Sequence, residues 1–100
     1  MYFDLNYVIE QVGKEKGISR ETLVEALEEA ILSASKKKFG NHLDLEARYN
    51  NEFGEIEVFQ FKTVVENVND IDSEISIENA KKHDPECMVG DSIGIKMDTS

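Results

Sequence analysis

Residues 21–50, "ETLVEALEEAILSASKKKFGNHLDLEARYN", change their hydrophobic period at Gly40, and that change decides the fold class. Before the glycine, Leu23, Leu27, Ala30, Ile31 and Ala34 recur at helical spacing, with Val24 and Ala26 widening the stripe. After it, Leu43, Leu45, Ala47 and Tyr49 alternate with Asp44, Glu46 and Arg48, the period of a strand with one covered face. Ser19 is placed to cap the helix, and Glu21 sits at the positive end of its dipole. Lys36, Lys37 and Lys38 fall in the last turn, where cations oppose the negative end. Glu25, Glu28 and Glu29 lie with Glu21 on the polar side, so like charges stand four residues apart and cost a few tenths of a kcal/mol per pair. Leu27 is central to the apolar stripe, so Leu27→Asp is expected to bury an unpaired charge and unfold the chain.

Working outward toward the N-terminus, Asp4 is a good helix cap, with Phe3 and Val8 placed for a hydrophobic staple across it. Leu5, Val8, Ile9 and Val12 form a single apolar stripe, and Gly17 is a plausible stop. The short connection "KGIS" makes the two helices an antiparallel or steeply crossed pair.

Toward the C-terminus, "NNEFG" (residues 50–54) supplies turn chemistry for a hairpin into a second strand containing Ile56 and Val58. Phe59 and Phe61 break the alternation there, which fits either a bulge or a strand covered on both faces. "TVVENV" (residues 63–68) reads as a third strand, and "NDIDSE" interrupts it. Ser76 caps a short helix, "IENAKKH", that must end before Pro85 because proline disfavours helical geometry in the residue preceding it. "VGD" is a tight turn, and Ile93, Ile95 and Met97 alternate in a last strand. Helices followed by strands make this an α+β chain: an N-terminal helix pair packed on a small, mainly antiparallel four-stranded sheet with one short extra helix. Its 100 residues suit one domain.

The chain has 11 basic and 21 acidic residues, a formal net charge of −10. Residues 1–50 carry 9 acidic and 7 basic side chains and residues 51–100 carry 12 and 4, so the halves differ, −2 against −8. The second half repels nucleic acid, and basic surface must come mainly from Lys14, Lys16, Arg20 and Lys36 to Lys38. The first residues lack the basic start of a signal peptide, and no apolar run reaches membrane-spanning length. A cytoplasmic location without membrane contact is expected, and the lone Cys87 suits a reducing compartment. His83 and Cys87 are four residues apart, too few ligands for zinc and on a stretch that Pro85 keeps from being helical. There is no phosphate-binding glycine loop, no EF-hand spacing and no base tied to the thiol. The chain is therefore expected to be no enzyme and to need no cofactor or metal. An acidic adaptor that binds an amphipathic partner helix is one class of function open to it.

"GISRETLVEALEEAILSASKKKFG", the strand pair around "NNEFGEIEVF", then "VVENV", "EISIENAKK" and "MVGDSIGIKM" together resemble the N-terminal domain of the bacterial transcription factor NusA, in order and over essentially the whole chain. That resemblance implies a module of a transcription elongation, pausing, termination and antitermination factor. It would bind RNA polymerase near the RNA exit channel at the tip of the β flap, with the C-terminal domain of the polymerase α chain and nascent RNA hairpins nearby. Arg20, Lys36, Lys37 and Lys38 would then be the RNA-proximal cations, and Glu25, Glu28 and Glu29 an acidic surface facing the polymerase. In the family a connector helix, an S1 domain and two KH domains follow and supply most of the RNA binding. A fragment ending before them is expected to be monomeric and to bind free RNA weakly.

Overall fold

The computed structural model describes residues 4–98. Two helices, α1 (Leu5–Lys16) and α2 (Arg20–Phe39), precede strands β1 (Leu45–Asn50), β2 (Glu55–Val65) and β3 (Glu74–Ser76). A short helix α3 (Ile77–His83) and strand β4 (Ser92–Lys96) complete the α+β fold. The caps are the ones the side chains suggest. An Asp4 carboxylate oxygen accepts the Asn6 amide at 2.9 Å, and the hydroxyls of Ser19 and Ser76 each accept an amide three residues on at 3.2 Å. Gly17 ends α1 with φ 66°, a left-handed conformation that glycine adopts without a Cβ penalty. The expected contact of Phe3 with Val8 lies outside the described residues.

β2 is the centre of the sheet. Gln60 pairs with both Leu45 and Ile95, and Thr63 with both Glu74 and Ser92. Because a strand has only two edges, β1 and β3 must lie end to end along one edge and β4 along the other. β1 and β4 run antiparallel to β2, and β3 runs parallel.

One strand expectation is corrected. The β-rich run at residues 63–68 is not a separate third strand: its first three residues continue β2, which is 11 residues long. No turn-forming residue stands between Glu55 and Val65, so the ladder propagates until "ENVND". The third strand is instead the three residues Glu74–Ser76 immediately before α3. Phe59 and Phe61 form no bulge, since the register around them is regular on both sides.

That register sorts the sheet into two faces. Leu45, Ala47, Tyr49, Ile56, Val58, Val64, Ile93 and Ile95 share one face, which the helices cover. Val64, Ala80 of α3, Cys87 and Ile93 form a buried cluster with Ile75, Ile77 and Ile95 against it. Nearer the hairpin, Ile9, Leu45 and Val58 are buried. The extents of 53 × 27 × 26 Å describe an elongated molecule, in which α2 runs beside β1 and gains little cover on its far side.

The apolar stripe of α2 is therefore only partly covered. Leu23, Val24, Leu27, Leu32 and Phe39 are half-buried, Ser35 is buried, and Ala30, Ile31 and Ala34 are exposed. Apolar residues occupy well over half the circumference of this helix, so periodicity cannot choose the face. Ser35 can turn inward because its hydroxyl donates to the Ile31 carbonyl at 2.8 Å, one turn back.

Candidate functional site

The cations at the end of α2 are held by ordinary helix geometry. The Gly40 amide closes the helix on the Lys36 carbonyl at 2.9 Å, so all three lysines occupy regular helical positions. Successive residues on a helix point about 100° apart, and the three ammonium groups therefore diverge instead of converging on one phosphate. Lys36 is half-buried, Lys37 is exposed, and the Lys38 ammonium lies 5.2 Å from the centroid of the Phe39 ring. His42 stands just beyond them, with Nε2 3.1 Å from an Asp72 carboxylate oxygen, and ties the α2–β1 loop to the loop before β3.

Arg20 does not join this group. It opens α2, about 24 Å from Lys36 at a rise of about 1.5 Å per residue. Its guanidinium donates to the side-chain oxygens of Asn6 at 2.6 Å and Asn51 at 3.1 Å. It also lies 5.7 Å from the centroid of the Tyr49 ring. The Tyr49 hydroxyl donates to the same Asn6 oxygen, and the Asn6 amide group donates to the Asn51 carbonyl at 2.8 Å. Arg20 thus joins the starts of both helices to the β1–β2 hairpin. Arg20→Ala is expected to remove about 1 kcal/mol, the scale of an exposed cation–π contact with its hydrogen bonds, and to lower Tm by about 4–8 °C in a thermal melt. A Tm unchanged from the parent would show that the clamp contributes nothing.

The three acidic residues also divide. Glu25 and Glu29 are exposed and, with Glu46, border a shallow cavity of about 250 Å³ over Leu32 and Ala47. Glu28 is half-buried, and its carboxylate accepts the Tyr49 backbone amide at 2.8 Å. By register, that amide points away from β2, on the outer edge of β1. Glu28 therefore satisfies a sheet-edge donor that α2 would otherwise cover unpaired. Burial of Cys87 removes it from thiol chemistry, and His83 is exposed. Among the described residues no three His, Cys, Asp or Glu side chains converge to hold a metal ion, and no helix is long and apolar enough to cross a membrane.

The structure thus keeps Lys36, Lys37 and Lys38 in the last turn of α2 and Glu25 and Glu29 on the surface, and it ties the exposed Arg20 and the half-buried Glu28 to other parts of the chain. The feature that residue types do not announce as a site is the open face of the sheet. Its signal in the sequence is the departure of Phe59 and Phe61 from the alternation of β2.

Comparison with known proteins places these features. Residues 4–100 match the family described as the NusA N-terminal domain. The transcription termination/antitermination protein NusA of Bacillus subtilis is 46% identical over 84 residues, 84% of this chain and 23% of that protein. The protein of the same name from Rickettsia conorii is 41% identical over 86 residues, 86% of this chain and 17% of that protein. The chain spans about a fifth of the length of these relatives. The solution structure of the N-terminal domain of NusA from B. subtilis superposes with a TM-score of 0.75 at 42% identity, covering 94% of this chain and 76% of that one. Its fold is the one described above, three helices on a mostly antiparallel open sheet of four strands, and the chain belongs to the NusA N-terminal domain family.

Proposed function

We propose that this chain is the polymerase-binding module of a cytoplasmic transcription factor, acting in pausing, elongation, termination and antitermination. It acts by docking, without catalysis. It binds RNA polymerase beside the RNA exit channel, at the tip of the β flap and within reach of the C-terminal domain of the polymerase α chain. There it adds contacts that hold a paused complex with its RNA hairpin, shifting that population without chemistry of its own. Residues 1–100 serve as one domain, and the RNA is presented by the bound polymerase rather than gripped by this domain alone. The observation that carries the reading is the family match along 4–100 combined with a cationic helix end on an otherwise acidic chain.

Lys37 and Lys38, both exposed, supply the cations for hairpin phosphates, and Lys36 reinforces them from the flank. Replacing Lys36, Lys37 and Lys38 together by alanine is expected to weaken hairpin-dependent pausing while leaving polymerase affinity essentially unchanged. Each lost phosphate contact would reduce the log–log salt slope of the effect by roughly 0.9. Equal losses in the pausing and binding assays would refute the division of labour.

The groove of about 240 Å³ between Ile31, Ala34 and Phe39 of α2 and Ile56 of β2 favours a second reading, an acidic adaptor for an amphipathic helix. Retention of polymerase but not of an isolated flap-tip peptide would favour the adaptor.

A further inference from the structure

The described helices cover one face of the sheet and leave the other open. On that open face Phe59 and Phe61 stand two residues apart on the central strand, each half-buried. Phe61 lies directly across from Gly94 of β4. A Cβ at Gly94 would come within 2.9 Å of the Phe61 ring, so the missing side chain lets the ring lie down over the strand. The two rings, with Arg48, Asn51 and Gly94, line a cavity of about 560 Å³, within the range of small-ligand and side-chain pockets.

The rim decides what such a floor attracts. Glu46, Glu55 and Glu57 lie on this face by register, and Glu52 borders the cavity from the hairpin. The two cations present are already paired. Arg48 is 2.9 Å from Glu46, and the Lys96 ammonium is 2.9 Å from Glu57 and 3.7 Å from Glu55. The hydrogen bond from Lys96 holds the Glu57 carboxyl below the usual carboxylate range. Flat aromatic side chains on an open sheet also suit nucleobase stacking, but the phosphates beside the stacked bases would meet these carboxylates.

We propose that the open face of the sheet, with Phe59 and Phe61 as floor and Glu46, Glu52, Glu55 and Glu57 as rim, is a docking surface for a basic peptide segment of a partner protein that carries an apolar anchor side chain. The anchor seats on the rings, where desolvation is favourable, and flanking lysines or arginines meet the rim. This surface is separate from the lysine end of α2 and does not depend on the polymerase reading.

The test is an amide chemical-shift titration of the 100-residue chain with a short peptide of lysines and arginines around a leucine–tryptophan pair. The same peptide with glutamates for its cations and a single-stranded oligouridylate are the comparisons. The basic peptide is expected to shift Phe59, Phe61 and Gly94 saturably, with an affinity that falls as salt rises. Phe59→Ser is expected to weaken it about tenfold, the size of one aromatic anchor. Should that variant fold poorly, the surface pair Glu46→Lys and Glu52→Lys tests the same surface through an expected loss of about fivefold. The proposal is overturned if the basic peptide leaves these amides unmoved, if the glutamate peptide moves them equally, or if oligouridylate is what moves them.

Discussion

Val64→Asp is expected to abolish the cooperative thermal transition of this chain. Val64 has no exposed surface and packs with Ala80, Cys87 and Ile93, the cluster that fastens α3 to the sheet. An aspartate there meets no cation within the cluster and no donor beyond the weak Cys87 thiol. Burying a carboxylate unpaired costs several kcal/mol, comparable with the roughly 5–15 kcal/mol that holds a typical domain together. The carboxylate avoids that cost only by staying protonated or by opening the β2–α3 contact to water. Circular dichroism on heating would report it as a gradual, shallow change. The comparison is Leu27→Asp, which the apolar stripe of α2 marks as equally severe. Leu27 is half-buried, so a carboxylate there reaches water, and a lowered but still cooperative Tm is expected. Equal behaviour of the two variants would mean that the helix pair is as deeply packed as the α3 cluster.

The second large effect is expected from Gly54→Ala, at the last residue of the β1–β2 hairpin loop. Its amide donates to the Asn50 carbonyl at 2.9 Å, and its own carbonyl accepts the Leu5 amide at 2.8 Å, joining the hairpin to the first turn of α1. Two penalties combine. Gly54 has φ 62°, where an L side chain costs roughly 1–2 kcal/mol. A Cβ would also press on the Asp4 carboxylate, 2.9 Å from its Cγ and nearer still to Oδ1, displacing a helix cap that contributes about 1 kcal/mol. The sum, about 2–3 kcal/mol, corresponds to a fall in Tm of about 10–20 °C in a domain of this size. Asp4→Ala in the Gly54→Ala background separates the two causes. If the clash matters, the second substitution costs less there than in the parent chain. Additive losses would attribute the whole effect to backbone conformation.

Much of the fold is legible in short stretches because its signals act between near neighbours. Ser19, Ser76 and Asp4 cap helices through amides two or three residues away, and Gly17 stops α1 by its own conformation. The alternation from Leu43 to Tyr49 and from Ile93 to Met97 places strands without reference to what covers them. The same locality explains the misplaced third strand. "TVVENV" has strand-forming residues, yet nothing within it tells continuation of β2 from a new strand. That depends on whether a turn precedes it, and none does. The three residues Glu74–Ser76 are too short to register as a strand by period. They pair only because the turn at residues 70–73 lays them beside Thr63, Val64 and Val65.

The candidate site was legible in part for the same reason. Three lysines ending a helix are visible as a run in the sequence, and the structure keeps them in the last turn of α2 with their side chains pointing apart. Arg20 and Glu28 look like further surface charges until their partners are known. Those partners lie 14 and 31 residues from Arg20 and 21 from Glu28, so no window of sequence contains them.

By itself the sequence determined the helices, their caps, the change of period at Gly40 and hence an α+β chain, because these follow from backbone conformation and contacts within a turn or a hairpin. The tertiary structure alone decided how far β2 runs, which side of α2 is covered, which charges serve the fold, and that Phe59 and Phe61 lie on an open face. Each of those depends on which groups packing brings together across long stretches of chain. Hydrophobic burial drives that packing without direction, and the need to satisfy every covered polar group, such as the Tyr49 amide on Glu28, selects its final arrangement.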